Sequence, residues 1–372
     1  EAEALVDAGW AHDLLAPRAV VRERQPHVVA LADSDHALAR DPGARAARLP
    51  AIAFDAARNA LKNGLGVLVQ VPRGGYVPSL ACGKCRNPAR CRRCNGPLAL
   101  PSAPGADGAG TPTCRWCGIA DANHRCTVCG SRTLRAVVIG AHRTAEELGR
   151  AFPGVPVHTS GGATVLDSVA SGASLVISTV GAEPSTPGGY GAALLLDGWA
   201  LLGRADLRAA EETLRRWMTA GALVRAGADG GRVVVVAESE IPTVQALVRW
   251  DPVGHARAQL DERIEVGFPP AVHVAAVDGS SAAIAALVEE AALPDGVEIL
   301  GPVDLPEGQR HPAGGGSGRD DGFDGDVQRL LLRVSRGSGA ALARALADAQ
   351  AMRSARKNTA SVRVQIDPIR IG

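Results

Sequence analysis

The sequence predicts an α/β chain, with a parallel sheet carrying a cysteine-rich insertion and then a smaller domain of β-α-β-β-α-β order. Three observations predict it. Apolar, strand-like runs alternate with helical stretches between residues 134 and 238, the pattern of a parallel sheet with helical crossovers. All eight cysteines fall between Cys82 and Cys129, in four Cys-x-x-Cys pairs. From residue 271 onward the element order becomes the split βαβ pattern.

Each element has its own warrant. The opening EAEALVDAGWAHDLL reads as helix with no capping residue before it, so residues 1–50 are expected to be a divergent leader or the end of a preceding lobe. The basic remainder of that stretch is expected to be irregular. AIAFDAARNALKNG places Ile52, Phe54, Ala57 and Leu61 at helical spacing and stops at Gly64. GVLVQVP is a continuous β-rich run, the mark of a strand buried on both faces. The cysteine segment, about residues 80–135, then interrupts the sheet after its first strand. Strand and helix resume as LRAVVIG, RTAEELGRAF, VPVHTS, ASLVIST, AALLLDG, a helix from about 204 to 224, and RVVVVAES. Residues 51–240 thus form the sheet domain, 241–270 a helical bridge and 271–372 the C-terminal domain. In the last, PEGQRHPAGGGSGRDDGFDG is poor in apolar residues and expected to be mobile.

Four knuckles of two thiols each suit two tetrahedral all-sulfur metal sites, and zinc is the default occupant. A disulfide framework suits a short secreted chain better than one segment of 372 residues. Two pairings satisfy the spacing. Sequential pairing joins Cys82, Cys85, Cys91 and Cys94, then Cys114, Cys117, Cys126 and Cys129. Nested pairing joins Cys82, Cys85, Cys126 and Cys129 outside, with Cys91, Cys94, Cys114 and Cys117 inside. Only five residues separate the first two knuckles, a cramped span for one ribbon, which leans toward nesting.

Residues 82–135 hold nine Lys or Arg and two acids, whereas the whole chain has a net charge of +1. Two zinc tetrathiolates would each subtract about 2 charges, leaving a mildly basic patch that can meet nucleic-acid phosphates. The competing reading is that the arginines only balance the thiolates. Trp116 can stack on a base or pack on its knuckle, and packing is favoured. His124, beside Cys126, is expected to be exposed, because eight thiols already fill two sites. Asp197 ends a strand, where α/β sheets place ligands, but a structural role is favoured for it.

Composition sets bounds. With 46% hydrophobic and 21% charged residues the chain is expected to be globular. No run of about 18 apolar residues occurs, so no membrane partner is expected, and clustered thiols point to the cytoplasm. There are three lysines, Lys62, Lys84 and Lys357. Only Lys84 follows a glycine, and Cys85 comes next in place of Ser or Thr, so no P-loop is present. No DExH box occurs either; LDERIE at 260–265 fails its pattern.

The combination resembles the primosomal protein N′ (PriA) family of bacterial replication-restart helicases. The resemblance rests on VLVQVPRGGYVPSLACGKC at 67–85, FPGVPV at 152–157, LLLDGWALLGRADLRAAE at 194–211, VGFPPAVHV at 266–274, ILGPV at 299–303 and VQIDP at 364–368. It implies a RecA-like second helicase lobe, a two-zinc insertion with nested coordination, and the C-terminal domain. It also implies binding to forked or single-stranded DNA, with primosome proteins and the machinery that loads the replicative helicase as partners. Arg73 and Tyr76 are DNA contacts by the same analogy, and Arg90, Arg92, Arg93 and Arg115 are further candidates.

Departures from the family bear on its motor. The second lobe of such helicases carries a Lys-Gly motif after the LVIST-like strand, whereas STVGAEPSTPGGYG has no lysine. The family's Gln-x-x-Gly-Arg-x-Gly-Arg stretch is replaced by MTAGALVRAGADG, with Thr219 near the place of the glutamine and Arg225 as the lone arginine. Loss of arginine fingers costs about 10³–10⁵ in phosphoryl-transfer rate. The expectation is therefore a fork-binding restart factor with two zinc ions and no ATP hydrolysis of its own. The alternatives are an active 3′–5′ helicase whose motor lobe lies elsewhere, and a zinc-ribbon scaffold that binds proteins only.

Overall fold

The computed structural model describes residues 1–31, 47–72, 80–85, 87, 89–93, 98–99, 111–114, 119–136, 141–202, 204, 206–305, 327–356 and 360–369. The chain divides into two units, Leu14–His255 and a second made of Glu1–Asp13 with Ala256–Ile371. The short helix α1 (Ala2–Asp7) belongs to the second unit.

The larger unit begins with α2 (Arg18–Arg24), β1 (His27–Leu31), α3 (Ala51–Lys62) and β2 (Val67–Val71). The cysteine module contributes β3 (Leu80–Cys82), β4 (Leu98–Ala99), β5 (Thr113–Cys114) and β6 (Leu134–Ala136). Then come α4 (Ala141–Ala151), β7 (Val157–Ser160), β8 (Leu175–Thr179), β9 (Ala192–Leu195), α5 (Gly198–Leu202), α6 (Ala209–Gly221), β10 (Arg232–Glu238) and α7 (Pro242–Arg249). Six strands form one sheet in the order β1-β10-β9-β2-β8-β7, every neighbouring pair parallel.

Alternation along the strands explains why both faces are covered. In β2, Val67, Val69 and Val71 pack with Leu175, Ile177, Leu194 and Val234 against α3 and α4 through Ala53, Ala57, Leu148 and Phe152. Leu68, one residue out of step, packs on the opposite face with Val176, Leu195, Val233, Leu214, Trp217 and Leu247. A parallel sheet needs this double cover, which is why its strands read as unbroken apolar runs. Each fully buried aliphatic side chain contributes about 1.5–3 kcal/mol, and the residues of these two clusters lie outside the inserted module.

Three details differ from the sequence expectations. HVVAL at 27–31 is a sheet strand inside a stretch expected to be irregular, and it pairs with β10 from His27↔Arg232 onward. The described part of LRAVVIG, β6, pairs antiparallel with β3 inside the module in place of the parallel pairing expected. The helix expected over 204–224 is shorter, Ala209–Gly221, and is preceded by the separate turn of α5.

The second unit holds β11 (Val272–Gly279), α9 (Ser281–Glu290), β12 (Glu298–Asp304), β13 (Gln328–Ser335), α10 (Gly339–Ala355) and β14 (Val362–Ile366), while α8 (Pro252–Val266) precedes them. Its four strands lie in the order β12-β13-β11-β14, all antiparallel. Helices α9 and α10 cover one face through Ile284, Leu287, Leu342 and Leu346. Arg329 reaches across from β13 to make a buried two-pronged pair with Asp278, at 2.7 and 2.9 Å. The low-complexity stretch 306–325 lies outside the described residues.

Candidate metal centre

Two short antiparallel ladders organise the cysteines. β3 leads into the first knuckle and β6 leaves the fourth, and they pair with Leu80 opposite Ala136 and Cys82 opposite Leu134. The ends of the segment are thereby brought together. Gly83 donates its N–H to the Thr133 carbonyl at 2.7 Å, and a Cβ at Gly83 would press into the Thr133 side chain. β4 leaves the second knuckle and β5 enters the third, with Leu98 opposite Cys114 and Ala99 opposite Thr113. The middle knuckles are joined by that second ladder, inside the first.

The knuckles share a local geometry. The N–H groups of Cys82, Cys114 and Cys126 each donate to the carbonyl five residues on, Asn87, Ile119 and Ser131, all at 2.9 Å. The Lys84 N–H donates to the Cys82 sulfur at 3.4 Å, and the Arg93 N–H to the Cys91 sulfur at 3.4 Å, the same two-residue offset. At Cys82 and Cys91 the turn therefore directs backbone N–H groups at the sulfur.

Cys82, Cys85, Cys126 and Cys129 place their sulfurs within 4.8 Å of one another. Cys82 lies 3.5 Å from Cys129, and Cys85 lies 3.5 Å from Cys126. A disulfide needs about 2.05 Å between sulfurs, whereas metal–sulfur bonds of about 2.3 Å give a tetrahedral edge of about 3.8 Å. The four sulfurs therefore fit a metal ion and could bind one. Cys91 and Cys114 are buried with Leu80, Ala89 and Leu98 in a small apolar cluster. Their expected partners Cys94 and Cys117 lie outside the described residues.

Proton binding at the outer group fits that reading. Burial works against the Cys82 thiolate, but the Cys85 and Lys84 N–H groups and the Cys129 thiol stabilise it, and its pKa falls to about 6. Burial, with the three neighbouring sulfurs adding to it, pushes Cys85 up to about 12. One thiolate forms readily and the next must form against its charge. A cation at the common point removes that obstacle, which is how metal binding and deprotonation are coupled.

The sequence's basic residues are distributed unevenly. Arg93 is exposed on the second knuckle, while the partial burial of Arg90 lowers its pKa. Arg92 is not free: its guanidinium holds Asp121 at 2.6 Å and the Asn123 carbonyl at 3.1 Å. His124, expected in solvent, is 5% exposed, because its Nδ1 meets the Asp121 carboxylate at 3.2 Å. The Arg92 hydrogen bond, helped by His124, holds the Asp121 carboxyl below the usual carboxylate range. Arg73, Tyr76, Arg115 and Trp116 lie outside the described residues.

Where β8 and β9 end, several polar side chains pair with one another, while the buried Thr179 hydroxyl at the end of β8 has no hydrogen-bond partner among the described residues. Gln70, buried at the end of β2, donates to Glu183 at 2.7 Å, and Glu183 also accepts the Gly181 N–H. Arg225 donates Nε to the Gly188 carbonyl at 2.8 Å, tying it to the loop before β9. Thr219 is spent on the Arg215 carbonyl at 2.9 Å. Asp197 is buried and takes the Arg48 guanidinium, with Nη2–Oδ2 at 2.9 Å. Arg48 also reaches Thr144 at 2.8 Å and Glu147 at 3.2 Å. Sequence reasoning missed Arg48, because nothing in an irregular basic stretch distinguishes an arginine that turns inward.

The primosomal protein N C-terminal domain family matches residues 264–369. The "Probable replication restart protein PriA" of Mycobacterium leprae is 59% identical over 374 residues, covering 100% of this chain and 56% of that protein. Proteins of the same name from Mycobacterium bovis and Mycobacterium tuberculosis H37Rv are each 59% identical over 381 residues, with the same coverage. The chain is similar to these PriA proteins along its whole length, and together with the C-terminal match they support a PriA-family assignment. The chain spans little more than half the length of these PriA relatives. Among the described residues no helix is long and apolar enough to cross a membrane.

Proposed function

We propose that this chain is the zinc-carrying, fork-binding part of a replication restart protein, and that it acts without ATP hydrolysis of its own. The observation that carries this reading is the match to replication restart proteins along the whole chain. In this reading the six-stranded unit is a RecA-like second helicase lobe, over about residues 51–240, and the strand order of the C-terminal unit is the split βαβ of residues 271–372. Residues 241–270 bridge them. Forked or single-stranded DNA is the ligand, and primosome proteins and the helicase-loading machinery are the partners.

Two zinc ions fit the ligands. Cys82, Cys85, Cys126 and Cys129 would hold one, as their convergence supports. Cys91, Cys94, Cys114 and Cys117 would hold the other, supported by the β4–β5 ladder that joins the two middle knuckles. Zinc would supply only fixed geometry and charge neutralisation here, since four sulfurs leave no open position. Arg93, Arg90 and Arg92, with Arg73 and Arg115, would meet phosphates, and Arg93 is the least encumbered of the described three.

The loss of the motor is supported by the arginine finger region. The lone Arg225 spends a donor on Gly188, and no lysine follows β8. A gel-shift titration of forked DNA over a salt series tests the binding claim. Affinity is expected to fall steeply as salt rises, by about one unit of slope per phosphate neutralised. Absence of fork binding at low salt would leave a protein-binding scaffold as the better reading.

A further inference from the structure

The carboxylate of Asp121 stands between the two sets of cysteines and touches both sides. Arg92, one residue after Cys91, reaches it at 2.6 Å through Nη2 and at 3.4 Å through Nε. His124, two residues before Cys126, reaches Oδ2, the oxygen that also takes the Arg92 Nε, at 3.2 Å. Because a carboxylate can only accept, the His124 Nδ1 carries the proton in this contact. Asp121 is itself anchored, donating its N–H to the Pro112 carbonyl at 2.7 Å just before β5. A bridge between Thr113 and Ala120 closes the turn that presents it. The arginine is half-exposed but the aspartate and histidine are nearly enclosed, at 12% and 5% side-chain exposure. Solvent competes weakly for them, so each contact fixes geometry.

We propose that Asp121 couples the two metal sites, so that filling or breaking one set of sulfurs is felt by the other through the Arg92–Asp121–His124 chain. This rests on the nested two-zinc reading above. The second knuckle cannot shift without moving the Arg92 guanidinium, and Asp121 must follow it or lose a two-pronged hydrogen bond. His124 then loses its buried partner, and the backbone entering Cys126 is released. Arg92 is thus a positioning residue for the module before it is a contact for any phosphate.

A thermodynamic cycle on the purified chain tests this, with zinc as the ligand and a chromophoric chelator as competitor. Cys91→Ser breaks the inner site, and the affinity of the remaining outer site is read. With Asp121 intact, that affinity should fall by about 5- to 150-fold, the usual range for coupled sites. With Asp121→Ala already present, Cys91→Ser should change it by less than about twofold. An equal penalty in both backgrounds, or none in either, would overturn the proposal; the first would assign the coupling to the apolar cluster around Leu80, Ala89 and Leu98. Should Asp121→Ala fail to hold two zinc ions, Arg92→Met carries the same cycle, since it leaves the Asp121–His124 contact in place. A chain with all eight cysteines that binds fewer than two zinc ions, or a Cys91→Ser chain whose Cys82 and Cys126 sulfurs no longer bind metal together, would overturn the nested reading and this proposal with it.

Discussion

In the cysteine module, four sulfurs from knuckles more than forty residues apart converge within 4.8 Å, with the Lys84 and Cys85 N–H groups directed at Cys82. At the ends of β8 and β9 polar groups also crowd together, but there each charge has an opposite or a dipole to meet: Gln70 with Glu183, Arg48 with Asp197, Arg225 with Gly188. The two regions differ in how their polar groups are matched: one gathers groups of the same kind, the other pairs unlike ones. Like-charged donors turned toward a common point are unstable without a cation.

Breaking a knuckle sharpens the first half of that contrast and carries the largest effect. Cys82→Ser should lower zinc content by one ion per chain. It should also abolish hydrogen-exchange protection around β3 and β6, because structural zinc contributes roughly 10–16 kcal/mol to folding small modules. The β2–β8–β9 core should keep its protection, since its apolar contacts lie outside the module. Loss of protection throughout the sheet would show that the module is not an independent insertion.

The second half is tested at Arg48. Replacing it by Met leaves Asp197 buried without its counter-charge, and urea unfolding should show a loss of about 3–5 kcal/mol. Arg48→Met with Asp197→Leu should recover much of it. A single-variant loss below about 1 kcal/mol would mean the pair is not what closes the end of β9.

Much of this was legible in the sequence, for identifiable reasons. Unbroken apolar runs such as VLVQV and LVIST can only be doubly covered strands, and Cys-x-x-Cys has few meanings. β1 was not legible because HVVAL is short and its flanks, RERQP and ADSD, are charged on both sides; only pairing with β10 makes it a strand. Cys82 with Cys126 was open because spacing alone allows two pairings, and the β3–β6 ladder that brings them together is just three residues long. His124 was misjudged because its burial depends on Asp121, whose role appears only when Arg92 folds back over it.

A smaller effect is expected at Gly231. An Ala Cβ there would run into the Arg225 carbonyl, so Gly231→Ala should cost about 1–3 kcal/mol and loosen the turn that holds Arg225. Full stability in that variant would show the turn to be more pliable than drawn.

The smallest effect lies at Glu212, whose pKa the Arg215 hydrogen bond, with Arg216, draws down to about 2. A carboxyl with a depressed folded pKa adds stability that is fully present above its ordinary value near 4.5 and is lost as pH falls toward 2. The melting temperature should therefore drop less between pH 5 and pH 2 in Glu212→Gln than in the parent chain. Identical pH profiles would remove this pair from the account.

The central claim, a chain that keeps its metal module and fork binding but not its motor, is tested most directly by one paired assay. ATP turnover and forked-DNA binding are measured on the same zinc-loaded preparation. The account predicts fork binding that weakens with salt and no turnover above a buffer control, because positioning and charge stabilisation supply nearly all of phosphoryl-transfer catalysis and this sequence contains no P-loop or DExH motif to supply them. DNA-stimulated turnover that disappears in Arg225→Ala would contradict it.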